Sequence, residues 1–399
     1  LRTQKGSGAR ALWLSTVAMG ASFVIWNMLS PLAGRIGELY QLSGLQQSVL
    51  VAAPVLLGSV MRVPMGIYTD RYGGRRVFTG TMLFLILPLL AASLANSYSA
   101  LLLCALFLGM GGSTFAISLT YISRCYPPHK QGFVLGLAGL GNLGVAASSY
   151  GMPMLEPRVG LDGVFMVLAG MIALAAAMFW LLAEDEPSAP GIKTLKQSLR
   201  VLRHGRAWRL SVFYFLTFGG FVAFSVYLPT LLRELFDLST SAAGLRTAVF
   251  VLLATLIRPL GGYWADRSGS RRVLGMVFGG IALSALLLTF ALEELVAFTA
   301  GYLVLAVLLG IGNGAVFKMV PEVSAEDTGA VTGIVGAAGG LGGFFPPIML
   351  GMIHDASGTY TLGFVLMLGF ACLCLAINQM AGRLREQKRA ACGSATETG

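Results

Sequence analysis

Apolar residues run along nearly the whole chain in stretches of roughly 20, each closed by a short polar or charged segment. That length matches the hydrocarbon core of a bilayer. Backbone groups in lipid must be hydrogen-bonded within their own segment, so the stretches predict membrane-spanning helices. The alternation of an outer-membrane β-barrel is absent. About twelve stretches qualify, near 11–33, 45–68, 77–97, 99–121, 132–153, 161–183, 209–231, 243–264, 273–291, 296–316, 330–352 and 361–381. A polar segment from Glu184 to Arg206, with Pro187 and Pro190, divides them six and six. The expected fold is an all-α membrane protein: a six-helix bundle over 1–183, a cytoplasmic linker over 184–207, a second six-helix bundle over 208–382 and a cytoplasmic tail over 383–399.

Composition supports this reading. Of 399 residues, 56% are hydrophobic and 12% charged, with mean hydropathy +0.76. A soluble domain of this size needs more charged surface. The net charge of +10 raises the question of nucleic acid, but its distribution answers otherwise. Basic residues gather in alternate loops: Arg71, Arg75 and Arg76; Lys193 to Arg209; Arg267, Arg271 and Arg272; and Arg383 to Arg389. The intervening loops are short and near-neutral or acidic, as at Glu293-Glu294 and the turn expected at His354-Asp355. This positive-inside pattern predicts a multi-pass protein of the cell (inner) membrane with both termini cytoplasmic, surrounded by lipid and with no nucleic-acid partner. The basic segment Lys193–Arg206 reads first as a solvated linker, and second as an amphipathic helix on the inner leaflet.

Other chemistry is sparse. Cys104, Cys125, Cys372 and Cys374 lie in or at the ends of apolar helices, and Cys392 in the tail. None has metal or redox spacing. His129, His204 and His354 fall in predicted loops. No Ser/His pair, carboxylate pair or His/Cys cluster suggests catalysis, so neither an enzyme nor a metal or cofactor is expected. The first apolar stretch is long enough to be a span rather than a signal peptide.

The two halves repeat. A shift of 196 residues lays Arg62–Val77 on Arg258–Val273, with 8 of 16 positions identical. Gly-rich helices also recur, GLAGLGNLG from Gly136 and GIVGAAGGLGG from Gly333. Internal repeats are typical of secondary transporters, whose substrate sites lie near the midplane between the halves.

Within the repeat stand Arg62 and Arg258. Each is eight residues from the loop aspartate (Asp70, Asp266), which places it about 12 Å from the membrane edge, near the middle of the core. Snorkelling is difficult at that depth, and guanidinium stays protonated. The options are a carboxylate, backbone carbonyls or an exchangeable anion in a wet cavity. No Asp or Glu is expected at mid-depth, which favours the anion. Two planar forks of N–H donors suit a small oxyanion gripped from both sides. Phosphate or a dicarboxylate would need more donors. This chemistry allows nitrate and nitrite without singling them out.

The G-x-x-x-D-R-x-G-x-R-R segment after spans two and eight resembles the loop signature of the major facilitator superfamily. Joined to the paired arginines and the two Gly-rich helices, it resembles the nitrate/nitrite porter family within it, over essentially the whole chain. The resemblance implies that Asn142 lies beside the anion; an interhelical hydrogen bond is the alternative. The second half has Gly340 where an asparagine might be looked for, so the site is expected to be asymmetric. It also implies aromatics beside the anion: Tyr214 and Phe218, four apart on one helix face, with Phe115 and Phe23; simple packing is the alternative for each. Gly136, Gly139, Gly141, Gly144, Gly333, Gly336, Gly339 and Gly342 form smooth faces, for movement between halves or for static packing. Asp70, Arg71, Arg75, Asp266, Arg267 and Arg271 resemble superfamily latches at the cytoplasmic rim; topology is the alternative.

The resulting expectation is a monomeric secondary transporter of nitrate, nitrite or both, working by alternating access. Exchange is favoured because no titratable acid is expected at mid-depth. Proton-coupled nitrate uptake, transport of another small anion such as a carboxylate, and a non-transporting anion sensor are the alternatives.

Overall fold

The computed structural model describes residues 4–126, 134–184, 205–320, 323 and 328–396; the side chains of 4–7, Asp70, 328–330 and 382–396 lie outside the description. The first half contains α1 (Gln4–Asn27), α2 (Leu29–Tyr40), α3 (Gly44–Val60), α4 (Arg62–Tyr72), α5 (Gly74–Ser93), α6 (Tyr98–Leu108), α7 (Met110–Cys125) and α8 (Leu143–Leu182). A 3-10 turn, Gly139–Asn142, leads into α8. The second half contains α9 (Gly205–Phe236), α10 (Thr240–Leu256), α11 (Arg258–Ser268), α12 (Ser270–Phe290), α13 (Leu295–Met319), α14 (Thr328–Ser357) and α15 (Thr361–Thr396).

Among the described residues these helices form 11 continuous stretches long and apolar enough to cross a membrane. The longest, Val134–Leu182, is interrupted at Gly160, where φ is 72° and ψ 171°. Only glycine adopts that backbone readily, and it turns the chain between two spans. The fold is thus twelve membrane helices. Large apolar side chains such as Leu87, Leu181, Phe290 and Val296 face outward, as lipid-facing surfaces require.

Polar caps set the loop ends. At α3, Ser43 Oγ accepts from Gln46 N (3.3 Å) while Gln46 Oε1 accepts from Ser43 N (2.9 Å), a reciprocal pair that satisfies two exposed donors. Ser97 and Ser239 cap α6 and α10 with their hydroxyls. Three expectations change. Helix α9 starts at Gly205, inside the segment read as linker; the linker's 185–204, and with them most of the basic segment, lie outside the described residues. His354 and Asp355 are helical rather than in a turn, because α14 runs on until Gly358, whose φ of 67° lets its N–H close on His354 O at 2.8 Å. Spans two and eight, expected to be unbroken, are each broken once, as follows.

The repeat is visible residue by residue. Under the shift of 196, α3 and α4 map onto α10 and α11 end for end. Each pair is interrupted at one residue, Met61 (ψ −10°) or Ile257 (ψ −15°). Pro64 and Pro259 account for the breaks: each lacks the N–H that would bond back one turn, and its ring crowds the carbonyl there. Arg62 and Arg258 therefore open the second segment of their spans. Gly73 and Gly269 end those segments at φ 86° and 84°.

At the end of the molecule away from the termini, the halves interlock. Ser30 Oγ donates to Val226 O, and Ser48 and Tyr227 hydroxyls meet at 3.4 Å. Gly244 lies directly on Ser149 O, and Arg233 lies across Gly34 with Glu38 at 3.8 Å.

Candidate functional site

Arg62 is fully buried and Arg258 is 6% exposed, midway along the bundle. Arg62 Nε donates to Gly112 O at 3.3 Å in its own half. Its Nη1 donates to Gly336 O at 2.7 Å in the other half. Its Nη2 is buried with no hydrogen-bond partner. Arg258 Nη2 donates to the Tyr214 hydroxyl at 2.7 Å. Among the described residues no carboxylate lies within ion-pair distance of either guanidinium.

Aromatic rings complete the enclosure. The Arg62 guanidinium carbon lies 5.0 Å from the centroids of Phe115 and Phe218. That of Arg258 lies 5.6 Å from Phe218 and 5.5 Å from Phe317. One ring, Phe218, thus faces both cations, so they are no further apart than those two distances together. Ring faces attract cations, but only by about 0.5–2 kcal/mol each. That does not replace a counter-ion for two permanent charges at mid-membrane. The low dielectric of the cage makes the field on an entering anion strong.

The spacing of Tyr214 and Phe218 on one face is realised as a stack at 4.9 Å and 6°. Phe115 joins them, 6.0 Å from Phe218. Phe23 is fully buried and packs on Trp26 at 5.0 Å; among the described residues its ring lies over neither guanidinium. Asn142 is fully buried in the 3-10 turn. Its Nδ2 donates to Gly139 O at 2.8 Å, a bond within the turn rather than between helices, and its Oδ1 has no partner. Gly340 lies against the Ser59 side chain, so an asparagine there would have no room.

Phe317 was missed by the sequence reading. It sits edge-on to Tyr214 at 5.1 Å and to Phe115 at 5.9 Å, closing the cage beside Arg258. The signal was present: GGSTF at 111–115 in span four has an approximate counterpart in GNGAVF at 312–317 in span ten.

The glycines divide by position. Gly336 and Gly139 face the opposite half's arginine. A methyl at Gly336 would lie 3.8 Å from Arg62 Cδ, and one at Gly139 would lie 3.5 Å from Arg258 Nη1. Gly333 lies against Val63 of the other half. Further along, Gly141 and Gly144 press on Met19 and Gly20 of α1, while Gly339 and Gly342 press on Tyr214 and on Phe215 and Gly219 of α9. A methyl at Gly136 would meet open space.

Asp266, Arg75 and Arg271 make rim contacts within their own halves. Asp266 pairs with Lys318, joining α11 to α13. Arg75 donates to Trp180 O through Nε (2.9 Å) and Nη2 (2.7 Å), and Arg271 Nη2 to Gln379 O (3.3 Å). Both bind helical carbonyls late in the last span of their half. Arg71 and Arg267 lie over Tyr72 and Tyr263, at 5.3 and 4.7 Å. The Asp70 side chain is outside the described residues.

Fold and site define a class: a two-halved, twelve-helix membrane protein of the major facilitator type, with a cationic, aromatic cage between its halves. The Major Facilitator Superfamily matches over residues 15–245 and 210–397. The nitrite extrusion protein of Bacillus subtilis is 39% identical over 354 residues, 89% of each chain. The probable nitrate transporter NarT of Staphylococcus carnosus is 37% identical over 372 residues, covering 93% of this chain and 95% of that one. The probable nitrate/nitrite transporter NarK2 of Mycobacterium tuberculosis is 37% identical over 381 residues, 93% and 95%. Among solved structures, a bacterial homolog of the human lysosomal transporter Spinster superposes with TM-score 0.73 at 18% identity, covering 94% of this chain and 97% of that one. The human organic anion transporter MFSD10 gives 0.74 at 16%, covering 93% and 99%. Both show the shared fold. The chain belongs to the nitrate/nitrite porter family of the Major Facilitator Superfamily.

Proposed function

We propose that this protein carries nitrate, nitrite or both across the cell membrane by alternating access, exchanging one anion for another. The observation that carries the reading is the buried, unpartnered Nη2 of Arg62, beside a second guanidinium and, among the described residues, with no carboxylate in reach. A flat, singly charged, weakly hydrated oxyanion fits between planar N–H forks flanked by rings. The names of the relatives at 37–39% identity narrow the oxyanion to nitrate and nitrite.

Exchange follows from the electrostatics. The Arg62 bond to Gly336 O crosses between the halves, so in the empty protein the cation ties them together. An anion that satisfies the guanidinium competes with that carbonyl and loosens the tie. An empty site keeps the tie and two uncompensated cations, which opposes reorientation. The positive-inside loops support cytoplasmic termini and an inner-membrane location. With that orientation the interlocked end is the outer mouth, closed, and the protein works as a monomer.

The test is nitrate flux in proteoliposomes with internal nitrite present or absent. Flux that requires an internal anion supports exchange. Accumulation driven by a pH gradient into anion-free vesicles would replace exchange with proton coupling. Absence of nitrate and nitrite flux, with formate transported instead, would reject the substrate assignment; binding without flux would make the protein a sensor.

A further inference from the structure

Hydroxyls in membrane helices usually donate to a carbonyl one turn back, and most here do. Ser22 bonds Ala18 O at 2.9 Å, Thr81 bonds Val77 O at 2.8 Å, Ser225 bonds Phe221 O at 2.7 Å and Thr247 bonds Ala243 O at 2.9 Å. Seven buried hydroxyls among the described residues do not, and four of them stand one turn from a cage residue. Ser118 follows Phe115 by three, Ser211 precedes and Thr217 follows Tyr214 by three, and Thr255 precedes Arg258 by three; each oxygen is buried without a partner. Buried polar atoms are rarely left so, and beside the cage a bound species can complete the bonding.

Thr255 is the most informative, because the repeat supplies its control. Its counterpart under the shift of 196 is Ser59, three residues before Arg62. Ser59 Oγ donates back to Val55 O and rests on Gly340 of the other half. Thr255 makes no such bond. The backbone through Ile257 stays near helical (φ −76°, ψ −15°), so Thr255 shares a face with Arg258. The turn Gly139–Asn142 of the other half packs on α10, with Gly139 beside the Arg258 guanidinium.

Asn142 lies on that turn. Its Nδ2 spends one of two N–H groups on Gly139 O, and its buried Oδ1, an acceptor, is the atom left without a partner. Flipping the amide would set two oxygens together at Gly139. The Thr255 hydroxyl is a buried neutral donor on this side of Arg258 that no carbonyl engages, beside the Tyr214 hydroxyl, which accepts from Arg258.

We propose that Thr255 is a specificity-determining residue whose hydroxyl donates to the third oxygen of a nitrate held between Arg62 and Arg258, favouring nitrate over the two-oxygen nitrite. The proposal rests on the nitrate/nitrite reading. The third oxygen of nitrate offers the Thr255 hydroxyl an acceptor that two-oxygen nitrite lacks.

The experiment measures nitrate and nitrite dissociation constants for the purified full-length protein in detergent, by calorimetric titration, for wild type, Thr255→Val and Thr255→Ser. Thr255→Val keeps shape and removes the donor; Thr255→Ser restores it. Loss of one hydrogen bond to a charged partner predicts that Thr255→Val weakens nitrate about tenfold or more and nitrite less than about threefold, with Thr255→Ser within about twofold of wild type. Equal weakening of both anions, unchanged nitrate affinity, or Thr255→Ser as weak as Thr255→Val would each overturn it. If Thr255→Val fails to give a monodisperse protein, Thr255→Ala carries the same expectation. Wild type that binds neither anion would reject the nitrate/nitrite reading and this inference with it, whereas normal wild-type binding with unaltered variants rejects this inference alone.

Discussion

Replacing Arg62 separates a binding cation from a structural one. Its guanidinium now makes two bonds, to Gly112 O at 3.3 Å and Gly336 O at 2.7 Å, and holds Nη2 uncommitted. Lysine at this position keeps the charge but offers a point donor in place of a planar fork. It can replace one carbonyl contact, and it cannot hold an anion through two parallel N–H bonds. Losing one charge-assisted hydrogen bond of about 1.5–3 kcal/mol predicts that Arg62→Lys raises the nitrate KM about 10- to 150-fold. Arg62→Gln removes the charge and can still donate to one carbonyl. Without a buried, uncompensated cation, the empty Arg62→Gln protein should melt at or above the wild-type temperature. It should also lose the upward shift that saturating nitrate gives wild type, because stabilisation by a ligand requires binding to the folded state. Counterflow in proteoliposomes gives the KM, and thermal unfolding in detergent with and without nitrate gives the shifts. A wild-type KM in Arg62→Lys would refute the reasoning. So would an Arg62→Gln protein that melts well below wild type yet is still stabilised by nitrate, since the arginine would then serve structure alone.

Other predictions follow from the same geometry. Phe317→Ala removes the ring 5.5 Å from the Arg258 carbon; a lost cation–π contact of about 0.5–2 kcal/mol should raise the nitrate KM about 2- to 30-fold, and an unchanged KM would remove Phe317 from the cage. Gly144→Ala drives a methyl into the Gly20 carbonyl of α1, which has no side-chain freedom to yield, so little monodisperse protein should survive size exclusion. Gly136→Ala points into open space and should purify normally; a fall in its flux would then assign Gly136 a role in movement rather than packing. Asp266→Asn breaks the pair with Lys318, whose side chains are 56% and 35% exposed. An exposed pair contributes about 0–1 kcal/mol, so flux should stay within about twofold of wild type, and a larger loss at normal expression would support the latch reading.

Fold and cage were legible to different depths. Spans were readable because bilayer thickness imposes one length on every apolar run. The two arginines were readable because a charge at mid-run has few physical explanations. The break at Met61 and Ile257 was not read, although Pro64 and Pro259 carried it, because hydropathy is blind to a lost backbone donor. Phe317 was missed because one ring among many in apolar helices has no mark of its own; only the likeness of GGSTF to GNGAVF picks it out, and that sets Phe115 against Phe317 at a shift of 202 rather than 196. Asn142 shows the limit from the other side. Its identity suggested a donor to the anion, a carbonyl three residues away takes one of its two N–H groups, and only the fold reveals how the amide is committed.

The repeat also explains why the two cations are placed where they are. Gly336 and Gly139 hold matching places in the two Gly-rich helices, counted from Gly333 and Gly136. Each lies against the arginine of the opposite half: Arg62 Nη1 donates to Gly336 O at 2.7 Å, and Arg258 Nη1 is 3.5 Å from where a Gly139 methyl would sit. The absence of a side chain at these two positions lets guanidinium and backbone approach across the plane where the halves must part. On the proposed reading the Arg62 cation is shared between an anion and the opposite backbone: loading the site draws its guanidinium away from Gly336 O, and unloading returns it. An anion gained and a carbonyl released are nearly balanced in hydrogen bonds, but differ by a full charge. On the proposed reading, that charge is what lets a loaded carrier turn and holds an empty one still. The arrangement therefore predicts that filling the gap on one side only, with Gly336→Ala, slows exchange more than it weakens equilibrium binding of nitrate; a variant that loses binding and keeps its turnover rate would show that the glycine serves the site and not the motion.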